Sequence, residues 1–364
     1  MNRIELIKKI DGLVGVPLVW LLYRLRRAAD RGDYTGLIKR VLIIRPGGIG
    51  DAVLLLYALS QLKMVFPEVL IDVLAEKRNG AIFRLSPHLN RIYLYDSGLD
   101  MFGCLKNAYD VVIDTEQWHR FSAVFAYLTG GLIRVGFDTN NRGLLFTRKV
   151  RYSLEEYEVH SFLRLIGEIT KTNHVFNSEE PFLFLKDDVI AKAYELTAEV
   201  SKPFVGILPG ASVKEKLWVA ERYGELAAAL EAIGVRAVIL GSKAERETAL
   251  KIKHLASNAL DLTGKTSLIE SAAVIKLCAV LISPDSGLMH IAYSLGVRTV
   301  CLFGVSSIEK WAPKGRNTAV ISKQLNCAPC SKFAYIPPCK NDIKCMSLIA
   351  VDEVLNAVKE SIGF

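Results

Sequence analysis

From Val41 onward the chain repeats one pattern. A short run of apolar, often β-branched residues is followed by a longer stretch with apolar residues three and four apart. The first run, Val41-Leu42-Ile43-Ile44, has no polar face, which predicts a parallel strand buried on both sides. Residues 51–66 follow with helical spacing, and Pro67 stops them. Strands are predicted again at 69–74, 91–95, 109–114 and 133–137, with helices between several of them. This βαβ alternation predicts a doubly wound parallel sheet.

The same grammar restarts in the second half. Residues 204–208 read as a strand, Pro209-Gly210-Ala211-Ser212 as a loop, and 220–233 as a helix ended by Gly234. Further strands are expected at 236–240, 279–283 and 299–303. The polar stretch 171–180, broken by Asn, Ser and Pro, is the expected linker region. The pattern therefore implies an α/β protein of two similar halves facing one cleft. The first domain is expected over 36–180 and the second over 181–350. A last helix, 351–364, is expected to return and pack on the first domain.

Residues 1–35 stand outside this pattern. Residues 12–23 are apolar and uncharged but too short to span a bilayer. They contain Pro17, follow Lys8-Lys9 and precede Arg24, Arg26 and Arg27, and no small-residue cleavage site follows. Two readings fit: a cationic segment lying on the inner face of the cytoplasmic membrane, or a helix packed on the protein's own surface. Composition adds little to the fold, since 51% hydrophobic and 23% charged residues are ordinary for a soluble protein of 364 residues. Charge narrows the partners. With 46 basic and 38 acidic residues the net charge is +8, which favours anionic ligands. The aromatics are not interleaved with the basic residues, so no nucleic acid is expected.

Three loops carry candidate chemistry. Ser283 to His290 lies at the end of an expected strand and the start of a helix, where free N–H groups and the helix dipole favour phosphate. Asp285 and Ser286 are capping residue types, and Gly287 allows close approach of a ligand; a plain helix cap with a buried His290 is the alternative. Arg45-Pro46-Gly47-Gly48-Ile49-Gly50-Asp51 follows the first strand and is not G-x-G-x-x-G, which argues against a dinucleotide. Its Asp51 is placed to take a proton from an acceptor hydroxyl, or else to cap the helix. Lys214 and Lys216 follow the strand at 204–208, where a lysine can offset the charge of a departing diphosphate; solvated surface charge is the alternative. Leu262-Thr263-Gly264-Lys265-Thr266 is not a P-loop, because Ala259 stands where the first glycine is required.

Taken together, segments 41–51, 208–218, 262–268 and 284–313 resemble the bacterial lipopolysaccharide heptosyltransferases, glycosyltransferase family 9 of the GT-B type. Asp-Ser-Gly-Leu-Met-His and Leu-Phe-Gly-Val-Ser-Ser…Trp-Ala-Pro are the most specific matches, and the order holds across nearly the whole chain after residue 40. The resemblance implies two Rossmann-like domains and an inverting, metal-independent transfer from ADP-heptose to a lipid-linked anionic saccharide. It implies a general base at Asp51 beside Gly47, Gly48 and Gly50. Donor contacts would come from Ser212, Lys216, Asp285, Ser286, Gly287 and His290, and the turn of Thr263, Gly264 and Lys265 would meet the adenine. No cofactor is required, and the expected location is cytoplasmic, peripheral to the membrane. Lys243 stands where the family often has a carboxylate for the ribose, with Glu245 as the nearby alternative. On the acceptor side, segment 114–120 (Asp-Thr-Glu-Gln-Trp-His-Arg), with His119 and Arg120, lies at an expected strand end, where Arg120 could reach an acidic sugar or phosphate or simply begin a surface helix.

Seven cysteines do not make a disulfide scaffold in a chain of this length. Cys327, Cys330, Cys339 and Cys345 have the ligand count of a structural zinc site, with a reduced cluster or an occasional disulfide as alternatives. Outside this family, the remaining readings are an NAD(P)-dependent oxidoreductase, weakened by the missing fingerprint, and a noncatalytic nucleotide-sugar or lipid-binding scaffold.

Overall fold

The computed structural model describes residues 8–25, 36–333 and 335–363. The chain divides into two compact units, Met1–Phe176 and Asn177–Phe364. The first holds a six-stranded sheet of β1 (Arg40–Arg45), β2 (Leu70–Ala75), β3 (Arg91–Leu94), β4 (Val111–Asp114), β5 (Ile133–Phe137) and β6 (Arg148–Val150). The second holds β7 (Phe204–Ile207), β8 (Arg236–Ile239), β9 (Leu260–Asp261), β10 (Val280–Pro284), β11 (Arg298–Phe303) and β12 (Thr318–Ser322). Every pairing is parallel.

The two sheets share one winding order: β3-β2-β1-β4-β5-β6 in the first and β12-β11-β10-β7-β8-β9 in the second. The chain starts at the centre, winds to one edge, then returns to the centre and winds to the other. Loops after β1 and β4 therefore part in opposite directions, as do those after β7 and β10. Such switch points, at the carboxyl ends of the central strands, are where open α/β sheets bind ligands.

The apolar runs explain the layers. Val41, Leu42 and Ile43 are fully buried because helices cover both sheet faces. Helix Ile49–Val65 is buried from Ala52 through Leu59, since it lies between its sheet and helix Glu158–Thr170. Helix Ala220–Ala232 presents Tyr223, Leu226 and Leu230 to the second core.

Both terminal segments bury one face in a core. Asp11–Gly15 and helix Val16–Arg24 pack on the first unit, with Val19 in the cluster that holds Leu42, Ile44 and Tyr93. The packed reading thus holds for one face of this segment; Arg26 and Arg27 lie outside the described residues. Helix Val351–Ile362, expected to return to the first domain, spends its apolar stripe inside the second unit. Val354 and Val358 enter that unit's core, against helix Ala220–Ala232 and β10 to β12.

Candidate functional site

The first half-site lies at the β1/β4 switch point. Gly47 has φ of +108°, a conformation costly for any residue with a Cβ. A Cβ on Gly48 would stand 2.7 Å from Asp51 Oδ2, so the glycine makes room for that carboxylate. Gly50 and Asp51 sit in the first turn of helix Ile49–Val65. The Asp51 side chain remains 18% exposed, enough to meet a ligand. It does not cap its own helix; Gly48 holds that position.

Two side chains hold Asp51. Arg45, buried at the end of β1, places Nη2 3.4 Å from Asp51 Oδ1 and donates from Nη1 to the Thr115 carbonyl at 2.8 Å. Gln117 donates from Nε2 to Asp51 Oδ1 at 3.2 Å and to Glu158 Oε1 at 2.6 Å. One amide thus bridges two carboxylates. Glu158 is fully buried and also accepts from Tyr152 Oη at 3.1 Å. Burial, then Glu158 and Asp51, push the Tyr152 phenol well above its usual range, so it stays a donor. Beside them, burial alone would raise the Glu116 carboxyl, but Arg45, His119 and Arg142 together hold it below its ordinary value.

The two acceptor candidates differ in how they are held. His119 is half-buried at the N-cap of helix Arg120–Leu128, and its Nδ1 has no hydrogen-bond partner. Arg120 is buried and committed elsewhere. Its Nη1 pairs with Asp11 Oδ2 at 2.8 Å and its Nη2 donates to Asn140. Arg120 therefore ties the N-terminal segment to the first unit instead of presenting charge to an acceptor.

The second half-site lies at the β7/β10 switch point. Trp218 is buried and donates from Nε1 to the Ile349 carbonyl at 3.0 Å, which anchors the loop carrying Lys216. Lys216 Nζ pairs with Asp285 Oδ2 at 2.5 Å, with both side chains mostly buried. Burial would raise the Asp285 carboxyl, but Lys216, His290 and Ser306 outweigh it and hold it below its usual value. His290 is buried, its Nε2 4.0 Å from Asp285 Oδ1. Ser286 caps helix Gly287–Ser294, accepting from Met289 N at 3.2 Å, as the capping alternative required. Lys216, Asp285, Ser286, Gly287 and His290 are thus gathered at one helix start, while Ser212 is exposed on the β7 loop.

The turn after β9 is internally tied. Thr263 donates from N and Oγ1 to Asp261 Oδ1, and Lys265 Nζ to the Asp261 carbonyl at 2.6 Å. Gly264 has φ of +65° and donates to the Gly241 carbonyl at 2.8 Å, joining this turn to the β8 loop. Glu245 is used locally: its Oε2 accepts from Ser242 N and Oγ.

Cys327 and Cys339 are exposed, Cys330 is half-buried and Cys345 buried; all are free thiols. Asn341 Nδ2 donates to Cys327 Sγ at 3.3 Å, and Ile343 N donates to Cys339 Sγ at the same distance. Burial, then the neighbouring thiols, raise Cys330 and Cys345. Among the described residues, no group of three or more His, Cys, Asp or Glu side chains is arranged to hold a metal ion.

Glu158 and Tyr152 were not singled out from the sequence, and Gln117 only as part of segment 114–120. Glu158 did leave a signal: in helix Glu158–Thr170 it occupies the same stripe as Phe162, Leu165 and Ile169, a charge on a face otherwise apolar.

A family model, glycosyltransferase family 9 (heptosyltransferase), matches residues 102–338. The lipooligosaccharide heptosyltransferase 2 of Haemophilus ducreyi is 27% identical over 308 residues, covering 78% of this chain and 88% of that protein. Among solved structures, the ADP-heptose lipopolysaccharide heptosyltransferase II of Escherichia coli aligns with a TM-score of 0.72 at 22% identity, over 89% of this chain and 98% of that one. An E. coli heptosyltransferase with ADP-2-deoxy-2-fluoro heptose aligns at 0.67 and 19% identity, over 89% and 99% of the two chains.

Proposed function

The chain belongs to glycosyltransferase family 9 and is a glycosyltransferase of the GT-B type, and from that premise we propose that it transfers heptose from ADP-heptose to the inner core of a lipid-linked lipopolysaccharide. The relatives named for this activity support the donor and acceptor classes. In this reading the acceptor oxygen attacks C1 of the heptose, Asp51 takes the hydroxyl proton, and the bond from C1 to the ADP oxygen breaks with inversion. Lys216 and the amides of helix Gly287–Ser294 receive the charge of the departing diphosphate, so no metal ion is required. With Arg120 spent on Asp11, the half-buried His119 is the remaining candidate for an acceptor contact.

The observation that carries the mechanism is the Asp51 carboxylate, partly open at a switch point and oriented by Arg45 and Gln117. Asp51→Asn is the test. ADP-heptose binding by calorimetry should persist while turnover falls by about a thousandfold or more. Undiminished turnover would remove Asp51 from this role. Turnover with UDP- or GDP-sugars but not with ADP-heptose would replace the donor assignment, and abolition by EDTA would replace the metal-independent one.

A further inference from the structure

We propose that the N-terminal segment is a membrane-docking helix, pinned to the first unit by one face and laying Ile10, Leu13, Val14, Trp20 and Leu21 on an anionic lipid surface with the other. None of these residues takes part in the transfer chemistry, so the inference stands apart from the reading above.

Burial along the segment is two-sided. Asp11, Gly15 and Val19 are buried and lie four residues apart. Ile10, Leu13, Val14, Pro17, Trp20, Leu21 and Arg24 are exposed and lie three or four apart, which is a second stripe. A helix that only covers a core turns polar residues outward. Here the outward stripe is apolar, with Leu13 78% exposed and Val19 fully buried on the other side.

The rotation of the helix is fixed. The Asp11 carboxylate accepts from Arg120 N at 2.6 Å and Phe121 N at 3.3 Å, besides pairing with the Arg120 guanidinium. A Cβ on Gly15 would lie 3.1 Å from Arg120 Cβ, so the two elements touch through a glycine. The segment cannot roll its outer stripe inward without breaking a buried ion pair.

Charge selects the occupant. The exposed charged residues of segment 8–25 are Lys9 and Arg24, one near each end, while the one acidic residue, Asp11, is buried. Trp20 and Tyr23 meet edge-on at 6.1 Å, both exposed, and such rings with a polar tip favour the bilayer interface. Among the described residues no helix is long and apolar enough to cross a membrane, so the segment would lie on the surface. A second copy fits less well: in an antiparallel pair Lys9 would meet Arg24 of the other molecule.

Sedimentation of the full-length protein with vesicles tests this. Binding is expected to vesicles of phosphatidylcholine with phosphatidylglycerol, and only weakly to phosphatidylcholine alone. Leu13→Ser with Trp20→Ser should lower partition by about tenfold or more without changing the melting temperature. Lys9→Glu with Arg24→Glu should abolish the preference for the anionic lipid. Brominated acyl chains should quench wild-type fluorescence, and Trp20→Phe should remove most of that quenching. Equal binding by the Leu13/Trp20 variant, or no quenching, overturns the proposal. So does a fall in molar mass of the lipid-free protein on the same substitutions, which would make a second copy the occupant.

Discussion

Asp51, Lys216 and Asp285 were visible in the sequence because each follows a strong strand signal; the bridge from Gln117 to Glu158 was not. Nothing local ties Gln117 to Glu158, and only the fold brings the amide between two carboxylates. That bridge fixes the orientation of the Asp51 carboxylate. Gln117→Ala should therefore lower kcat by about tenfold or more, with KM for the donor unchanged. An unchanged kcat would release Gln117 from its orienting role. In the second unit, Lys216→Met strands Asp285 in a buried position and should cost about 3 kcal/mol at pH 7. The sign follows from Asp285, whose folded pKa is depressed: burial opposes this, and Lys216 leads the groups that outweigh it. Its contribution is present above the unfolded pKa of about 4 and is lost as pH falls through the lower folded value. The gap between wild type and variant should be widest near neutrality and narrow below about pH 4, as denaturant curves at several pH values would register.

At the scale of elements, the central strands and the edge strand β3 were legible, and the other three edge strands were not. The run Val41 to Ile44 is apolar because both faces are covered, and four such residues in succession suit a strand with no solvent side. β6 has three residues, two of them basic; β9 has two; β12 is half-exposed along its length. At sheet margins the burial that writes the pattern is missing. The segment 12–23 was legible as apolar and cationic-flanked, but its docking needed Arg120, a residue whose charge suggested a ligand. Arg120→Ala leaves Asp11 buried without its partner and should cost about 3 kcal/mol. The loss should appear as faster amide exchange over residues 11–24, while the strands of the second unit keep their protection. Unchanged exchange there would mean that Val19 alone holds the helix.

At the scale of the molecule, two units with separate cores offer two places for a ligand to act. On the proposed assignment, ADP binds the second unit, so it should raise the unfolding transition that belongs to 177–364. The stabilisation is RT ln(1 + [L]/Kd), about 2.7 kcal/mol at a hundredfold excess over Kd. Calorimetry with and without ADP would resolve this, and Asp51→Asn should leave the shift intact. A shift confined to the first unit would reverse the assignment of donor and acceptor halves. The repeated winding order also bears on how the protein comes into being. In each sheet the pair that creates the switch point joins strands far apart in the chain: Val41 with Val111, and Val205 with Val280. Closing such long loops costs entropy before any contact rewards it. During synthesis β1 is made early but cannot meet β4 until two intervening strands have emerged, and β7 waits likewise for β10. The ends of these strands, where the chemistry sits, therefore cannot come together until β4 and β10 have been made. A substitution in a central strand should act first on folding yield, and the molecules that do fold should keep ordinary turnover per site.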